Sequence, residues 1–219
     1  MHSGRRSDYP PYYPALLNLQ GRRCVVVGGG EVAERKAKAL LDCGAEVVVI
    51  APQANQAIGA LARQGVLGWL AKPYAASDLA GARLVIAAAT PEINAAVAGD
   101  ARREHIPVNV VDDPAQCDFI VPAVVRRGPV LIAVSSHGTS PALARRLREL
   151  IEGQIGPEYG ELAELLGRLR EDVLALGSEQ ARRRIWQEIL DSRALELLRD
   201  GKREEAEAEA RLCISRARG

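Results

Sequence analysis

A glycine-rich turn, Gly28-Gly29-Gly30-Glu31-Val32-Ala33, lies between an apolar β-branched stretch and a stretch of helix-forming residues. A buried strand that enters a helix through a glycine-rich turn is typical of dinucleotide-binding folds. In this interpretation Gly28 permits the tight turn, Gly30 lets the backbone approach a pyrophosphate, and Ala33 replaces a third glycine at the helix–strand contact. The phosphates would bind the free N–H groups at the positive end of the helix. A purely structural turn is the alternative.

Two carboxylates, Asp112 and Asp113, follow a predicted strand at residues 107–111. A carboxylate pair at a strand end suits acid–base chemistry, because each charge alters the pKa of the other and one member can act as a general base. Asp-Asp-Pro is also good turn chemistry, since Pro114 restricts the residue before it to an extended conformation. The spacing alone leaves both interpretations open.

The segment Ser135-Ser136-His137-Gly138-Thr139-Ser140 offers hydroxyl and backbone donors to an anionic ligand. An ordinary strand-to-helix loop is the alternative. A Ser–His hydrolase is disfavoured because the chain has no nucleophile elbow. Arginines on the helix that follows would suit substrate carboxylates, or they form the solvated face of an amphipathic helix.

Strands alternate with helices in the first half of the chain, which predicts an α/β fold with a parallel sheet covered on both faces. Ligands bind beyond the carboxyl ends of such strands. Pro52, Gln53, Thr90 and Asp112 all fall at predicted strand ends. Neither an acidic residue nor an arginine follows the second strand, so these residues do not decide between NAD and NADP.

The second half has a different pattern. Apolar runs at 119–125 and 129–135 predict a hairpin, and Ser140 and Pro141 are typical of the start of a helix. The apolar stripe of that helix consists of Leu143, Leu147, Leu150 and Ile151. Helical spacing continues from Pro157 onward. We therefore expect three parts: residues 1–115, a sheet domain; 116–152, a strand–helix segment; and 153–219, a small all-helical domain.

Composition narrows the class of protein. The chain has 219 residues, 47% of them hydrophobic, and no apolar stretch long enough to span a bilayer. We expect a cytoplasmic protein with no membrane partner, since residues 1–14 lack a signal-peptide apolar region. Four scattered cysteines predict free thiols. The net charge of +1 neither favours nor excludes nucleic acid, and we expect none. The three histidines lie in unrelated segments, so no resident metal is predicted.

Four stretches, in order along residues 12–152, resemble the siroheme-synthase dehydrogenase family. They are YYPALLNLQGRRCVVVGGGEVAERKAKALL, LVIAAATPEIN, VNVVDDPAQCDFIVPAVV and VLIAVSSHGTSPALARRLRELIE. Members of the family are precorrin-2 dehydrogenases, and some are also sirohydrochlorin ferrochelatases. The resemblance implies a Rossmann-type sheet, a dimerisation segment at 116–152 and a helical C-terminal domain. It also implies NAD-dependent conversion of precorrin-2 to sirohydrochlorin in siroheme biosynthesis, with Fe²⁺ insertion in some members.

The resemblance also assigns roles to residues. The family's essential aspartate falls on Asp112 and its loop serine on Ser136, and His137 stands where some members have glycine. The family's cofactor positions fall on Gly28, Gly29, Gly30, Glu31, Val32, Pro52 and Gln53, and Thr90 joins the expected cofactor contacts through its place at a strand end. Because the substrate carries eight carboxylates, the candidate substrate contacts also include Arg126, Arg127, Arg145 and Arg146. The family shares the missing strand-end acid, which favours NAD. An NAD(H)-sensing module without activity is the alternative, and it would need neither the carboxylate pair nor the serine loop.

Overall fold

Five short apolar stretches form a parallel sheet in the first half of the chain, because β-branched residues suit strands buried on both faces. The structure, a computed structural model, describes residues 12–216; the first eleven residues, where no signal peptide was predicted, lie outside this range. The strands are β1 (Arg23–Val27), β2 (Glu46–Ile50), β3 (Gly68–Leu70), β4 (Leu84–Ala87) and β5 (Val108–Val110). Their order across the sheet is β3-β2-β1-β4-β5. This is a Rossmann-type order, and the predicted fold class is confirmed.

Three helices cover the two faces of this sheet: α1 (Glu31–Leu41), α2 (Gln56–Arg63) and α3 (Pro91–Arg103). On one face α1 and α2 bury Ala33, Ala37 and Ile58 against the strands. On the other face α3 buries Val97 and Ala101. The crossover helices therefore leave the carboxyl ends of the strands as the place where the connecting loops gather.

The chain turns back along β5 instead of leaving the sheet. The Asp118 N–H donates to the Val108 carbonyl (2.9 Å), and the Val108 N–H donates to the Asp118 carboxylate (3.0 Å). The Asn109 side-chain amide donates to the Phe119 carbonyl at 2.9 Å. We call residues 111–118 the Asp112 loop. Because the returning chain pairs with β5, it belongs to the first of two compact units. Along the sequence, the boundary between these units falls between Val121 and Pro122.

The second unit begins with the predicted antiparallel hairpin, formed by β6 (Ala123–Arg127) and β7 (Val130–Val134). Its first strand begins four residues later than the apolar run 119–125 indicated, because Phe119 pairs with β5 instead, and it extends through Arg127. Six helices follow: α4 (Pro141–Gln154), α5 (Glu158–Arg168), α6 (Arg170–Leu174), α7 (Glu179–Asp191), α8 (Ala194–Arg199) and α9 (Arg203–Arg216). Helices α5 to α9 share one core around Leu165, Leu169, Ile185 and Ile189. This region is all-helical, as expected, and the three-part division of the sequence stays a prediction.

The cysteines are free thiols, as predicted: Cys24, Cys43, Cys117 and Cys213. Within residues 12–216, no helix is both long and apolar enough to cross a membrane.

Candidate nucleotide and substrate site

A pocket of about 440 Å³ opens at the carboxyl ends of β1, β2 and β4. Six of the predicted cofactor residues line it: Gly28, Gly29, Gly30, Pro52, Gln53 and Thr90. The strands on either side of β1 run to helices on opposite faces of the sheet, so the pocket occupies the switch point where nucleotides bind in such folds.

The three glycines have different reasons to be glycine. A Cβ on Gly28, whose φ is +129°, would lie 2.2 Å from the Ala88 carbonyl oxygen. A Cβ on Gly29 would lie 2.0 Å from the carbonyl oxygen of Gln53. At Gly30 a Cβ would meet no atom within 4 Å. The protein itself therefore requires the first two glycines, whereas Gly30 borders open space in which a ligand has room.

Helices α1 and α3 both begin at the pocket, and neither is capped by the side chain of its N-cap residue, Gly30 for α1 and Thr90 for α3. At α3, however, the Glu92 carboxylate accepts hydrogen bonds from its own N–H and from the Thr90 hydroxyl, so α1 is the helix with the freer first turn. By contrast, Asn55 caps α2 by accepting a hydrogen bond from the Ile58 N–H at 3.0 Å. Uncapped first-turn N–H groups are good donors to an anion. Glu31 and Val32, in the first turn of α1, are not among the residues that line the pocket, and their contact with a cofactor stays a prediction.

One wall of the pocket comes from residues that the sequence analysis missed: Pro73, Tyr74 and Ile93. The Tyr74 hydroxyl donates to the Asp100 carboxylate on α3 at 2.8 Å. Burial and this hydrogen bond raise the pKa of Tyr74 well above its usual value, so the hydroxyl stays protonated and the ring is fixed. The buried Asn94 side chain accepts from the Ala89 N–H at 2.8 Å and so fixes the end of β4.

No charged side chain is among the described residues that line the pocket. A 2′-phosphate normally requires a cation at the end of the second strand, and here Ala51, Pro52 and Gln53 occupy that position. The pocket therefore suits the neutral ribose hydroxyls of NAD better than the extra phosphate of NADP.

Asp112 and Asp113 have different surroundings. Asp113 begins a 3-10 turn at Pro114–Gln116, and its carboxylate accepts a hydrogen bond from the Gln116 side chain at 2.6 Å. Asp112 has a left-handed backbone conformation (φ +60°) and an exposed side chain. Its carboxylate makes no hydrogen bond or ion pair with any residue in the described range. Asp112 is therefore the carboxylate that is free to do chemistry.

The β7–α4 loop is folded by its own hydroxyl groups. The Ser136 hydroxyl accepts from the Ser140 N–H (3.0 Å) and donates to the Ser140 carbonyl (2.9 Å). Ser140 caps α4, as predicted, by accepting from the Leu143 N–H at 3.2 Å. His137 and Gly138 are both left-handed, with φ +54° and +81°. The loop is thus a tight turn in which glycine would suit the His137 position.

The four candidate arginines lie in the second unit, with Ser136, whereas Asp112 and the pocket belong to the first. Arg127 donates to the carbonyls of Glu152 (3.1 Å) and Ile155 (2.8 Å) and so closes the C-terminal end of α4. A substrate contact would require it to leave these acceptors. Arg126, Arg145 and Arg146 are exposed.

Residues 12–216 contain no group of three histidine, cysteine or acidic side chains that could hold a metal ion.

Three family models match the chain in consecutive order. Residues 15–123 match a putative NAD(P)-binding domain, residues 127–154 a sirohaem biosynthesis protein central region, and residues 158–212 a sirohaem synthase dimerisation region. The dimerisation description falls on the helices of the second unit, whereas the resemblance led us to expect the dimer contacts at 116–152.

Comparison with individual proteins points to the same family as the three family models. The chain is 50% identical over 198 residues to a siroheme synthase of Methylococcus capsulatus and 42% identical over 200 residues to one of Neisseria meningitidis serogroup C. Each match covers 90% of this chain but only 42% of the relative. A solved structure, SirC, precorrin-2 dehydrogenase, superposes with a TM-score of 0.73 at 26% identity and covers 91% of this chain and 99% of that one. The chain belongs to the siroheme synthase family, within the part that carries the NAD(P)-binding, central and dimerisation regions.

Proposed function

We propose that this chain is an NAD-dependent dehydrogenase that converts precorrin-2 to sirohydrochlorin in siroheme biosynthesis, and that it works as a homodimer. The likeness to a precorrin-2 dehydrogenase over most of both chains supports the reaction. The observation that carries the proposal is the Asp112 carboxylate, which makes no hydrogen bond or ion pair within residues 12–216 and follows β5 at the carboxyl ends of the strands, where the nucleotide pocket also lies. A nucleotide-binding module without chemistry would not need such a group.

The residues of the pocket fit a dinucleotide. The open space at Gly30 and the uncapped N–H groups of α1 would receive the pyrophosphate. Pro52 and Gln53 would contact a ribose, and Thr90 lines the pocket at the start of α3. When bound, NAD⁺ supplies the acceptor for a hydride.

Conversion of precorrin-2 to sirohydrochlorin removes a hydride and a proton from the macrocycle. Asp112 accepts that proton, because its carboxylate has no competing hydrogen bond within residues 12–216. Asp113 keeps the turn in place through Gln116. Arg126, Arg145 and Arg146 bind substrate carboxylates, and the Ser136 loop contributes polar groups near the start of α4. Arg127 retains its structural role.

The decisive experiment is an anaerobic assay of precorrin-2 with NAD⁺ and, separately, with NADP⁺, followed by the absorbance of sirohydrochlorin. We expect turnover with NAD⁺ and much slower turnover with NADP⁺. A protein that binds NADH but neither binds nor oxidises the tetrapyrrole would instead be a nucleotide sensor.

Insertion of Fe²⁺ into sirohydrochlorin is a further part of the proposal. Chelation requires a base for the pyrrole protons, and Asp112 is the free carboxylate that would supply it. Adding Fe²⁺ to sirohydrochlorin and protein under anaerobic conditions tests this step separately from the oxidation.

A further inference from the structure

Lys36 lies on α1 at the border between the helix and the Asp112 loop. It is one helical turn from Ala33 and next to Ala37, both of which are fully buried against the sheet. Val111 and Phe119, at the two ends of the returning chain, pack against the same cluster. The charged Lys36 side chain is therefore half-buried on a helix face whose other residues are apolar.

The Lys36 charge is not held by an ion pair in the part of the chain that the structure describes. The ammonium makes no hydrogen bond or ion pair with any residue between 12 and 216. Burial, and then the nearby Arg35, lower the pKa of Lys36, whereas Cys117 and Asp112 act in the opposite direction. The negative charge of Asp112 thus favours the protonated form of Lys36, and the two side chains form no ion pair.

A half-buried ammonium without a partner costs stability, because desolvation disfavours its charged form. Two other lysines form ion pairs, Lys38 with Glu34 and Lys72 with Asp78, and Lys202 is exposed to solvent. A charge held beside a free carboxylate at the expense of stability is typical of a functional site.

We propose that Lys36 is a substrate-binding residue, whose ammonium binds one carboxylate of the anionic tetrapyrrole beside Asp112. This inference rests on the proposed function, and it assigns the substrate a contact within the first unit in addition to the arginines of the second. The bound carboxylate satisfies the Lys36 charge, and the macrocycle is thereby held next to the base that receives its proton.

The test compares Lys36→Met and Lys36→Arg with Lys38→Met, a matched change two residues along α1 at an exposed position. Affinity for sirohydrochlorin is measured by fluorescence titration, affinity for NADH in the same way, and thermal unfolding for each variant. We expect Lys36→Met to bind sirohydrochlorin about 10- to 100-fold more weakly, the loss of one charge-assisted hydrogen bond. Lys36→Arg should regain most of that affinity, and Lys38→Met should match the wild type.

NADH affinity should be unchanged in all three variants, and Lys36→Met should unfold at a temperature no lower than the wild type, since it removes a desolvated charge. In turnover, Lys36→Met should raise KM more than it lowers kcat. Wild-type affinity of Lys36→Met for sirohydrochlorin would overturn the inference and leave the proposed function standing. An equal loss of NADH affinity would overturn it in favour of a cofactor contact. A wild-type chain that does not bind tetrapyrrole would overturn both.

Discussion

Asp112 and Asp113 are adjacent, yet the backbone sends their side chains into different surroundings. The left-handed conformation at Asp112 turns the chain just after β5 ends, and Asp and Asn are among the residues that tolerate it best. The next carboxylate is held by Gln116 in the turn that follows. One residue of the pair is therefore held by the fold, and its neighbour keeps a free carboxylate.

Asp112→Asn should fold normally and bind NAD⁺, because asparagine also adopts the left-handed conformation and keeps the size of the side chain. It can neither accept the proton nor supply a charge, so we expect turnover to fall by ~10²–10⁴ with a smaller effect on substrate affinity. Steady-state kinetics with precorrin-2 measure this loss. Asp113→Asn is the control and should lose less activity. A larger loss in Asp113→Asn than in Asp112→Asn would show that Asp113, and not Asp112, is the catalytic carboxylate.

Gly30→Asp should abolish NAD⁺ binding and leave the protein folded. The new side chain enters open space, so it strains nothing in the protein, but its charge repels a pyrophosphate at that position. Isothermal titration with NADH and circular dichroism report the two effects separately. Gly29→Ala makes a contrasting pair, since its methyl group would collide with the Gln53 carbonyl and should reduce stability. Normal NADH affinity in Gly30→Asp would place the pyrophosphate elsewhere.

The residues that the sequence predicted for the pocket share one property: they follow strands in a recognisable local pattern. Gly28, Gly30 and Gln53 could be named because each lies just beyond a β-branched run. Tyr74 could not, since it enters the pocket from the loop after β3 and is held by Asp100, twenty-six residues further along the chain. Gly29 was identified as a cofactor residue, but its close contact with Gln53 depends on how two loops meet, which no local pattern encodes.

At the scale of elements, the strand–turn–helix units and the hairpin followed directly from alternating patterns, whereas the return of the chain along β5 did not. Phe119 begins the apolar run 119–125 that was predicted as the first hairpin strand, and Asp118 directly precedes it. Their pairing with Val108 and Asn109 depends on side-chain hydrogen bonds across ten residues. Strand boundaries inferred from apolar runs could not locate it, because hydrophobicity does not report which polar groups pair.

The β7–α4 loop requires a left-handed backbone conformation at His137, and the cost of this conformation can be measured. His137 is left-handed, a conformation that is least accessible to β-branched residues. We expect His137→Gly to be more stable than His137→Val by about 1–2 kcal/mol, as both remove the imidazole and only valine is strained. Urea denaturation of the two variants measures the difference. Equal stabilities would mean that the loop relaxes to another conformation.

Helix α4 packs on the hairpin and has an exposed apolar stripe on the side that faces away from it. Ala144 is buried, whereas Leu143, Leu147 and Leu150 are 51%, 40% and 48% exposed. An exposed apolar stripe of this kind is typical of a surface that is covered by another protein chain. The dimerisation region at residues 158–212 begins four residues after α4 ends. We therefore propose that the α4 stripe forms part of the homodimer contact.

Leu147→Glu should convert the dimer to a monomer at micromolar concentration, because it buries a charge in the centre of that contact. Light scattering coupled to size exclusion measures the mass. Val66→Glu, at an apolar residue of similar exposure (47%) in the first unit, is the control and should remain dimeric. If Leu147→Glu is also a dimer, the helices of residues 158–212 carry the contact without α4.

The pairing of Asp118 and Phe119 with β5 covers the outer strand of the sheet. A bare outer strand offers its backbone to other chains and invites sheet-to-sheet aggregation. Here the returning chain occupies that side, and the opposite edge strand, β3, is only three residues long. The same few residues thus protect the sheet edge and position the Asp112 carboxylate. Relatives that lose the chemistry should still be under selection to keep this loop, whereas position 112 would be constrained only by its left-handed backbone and could change to Asn or Gly.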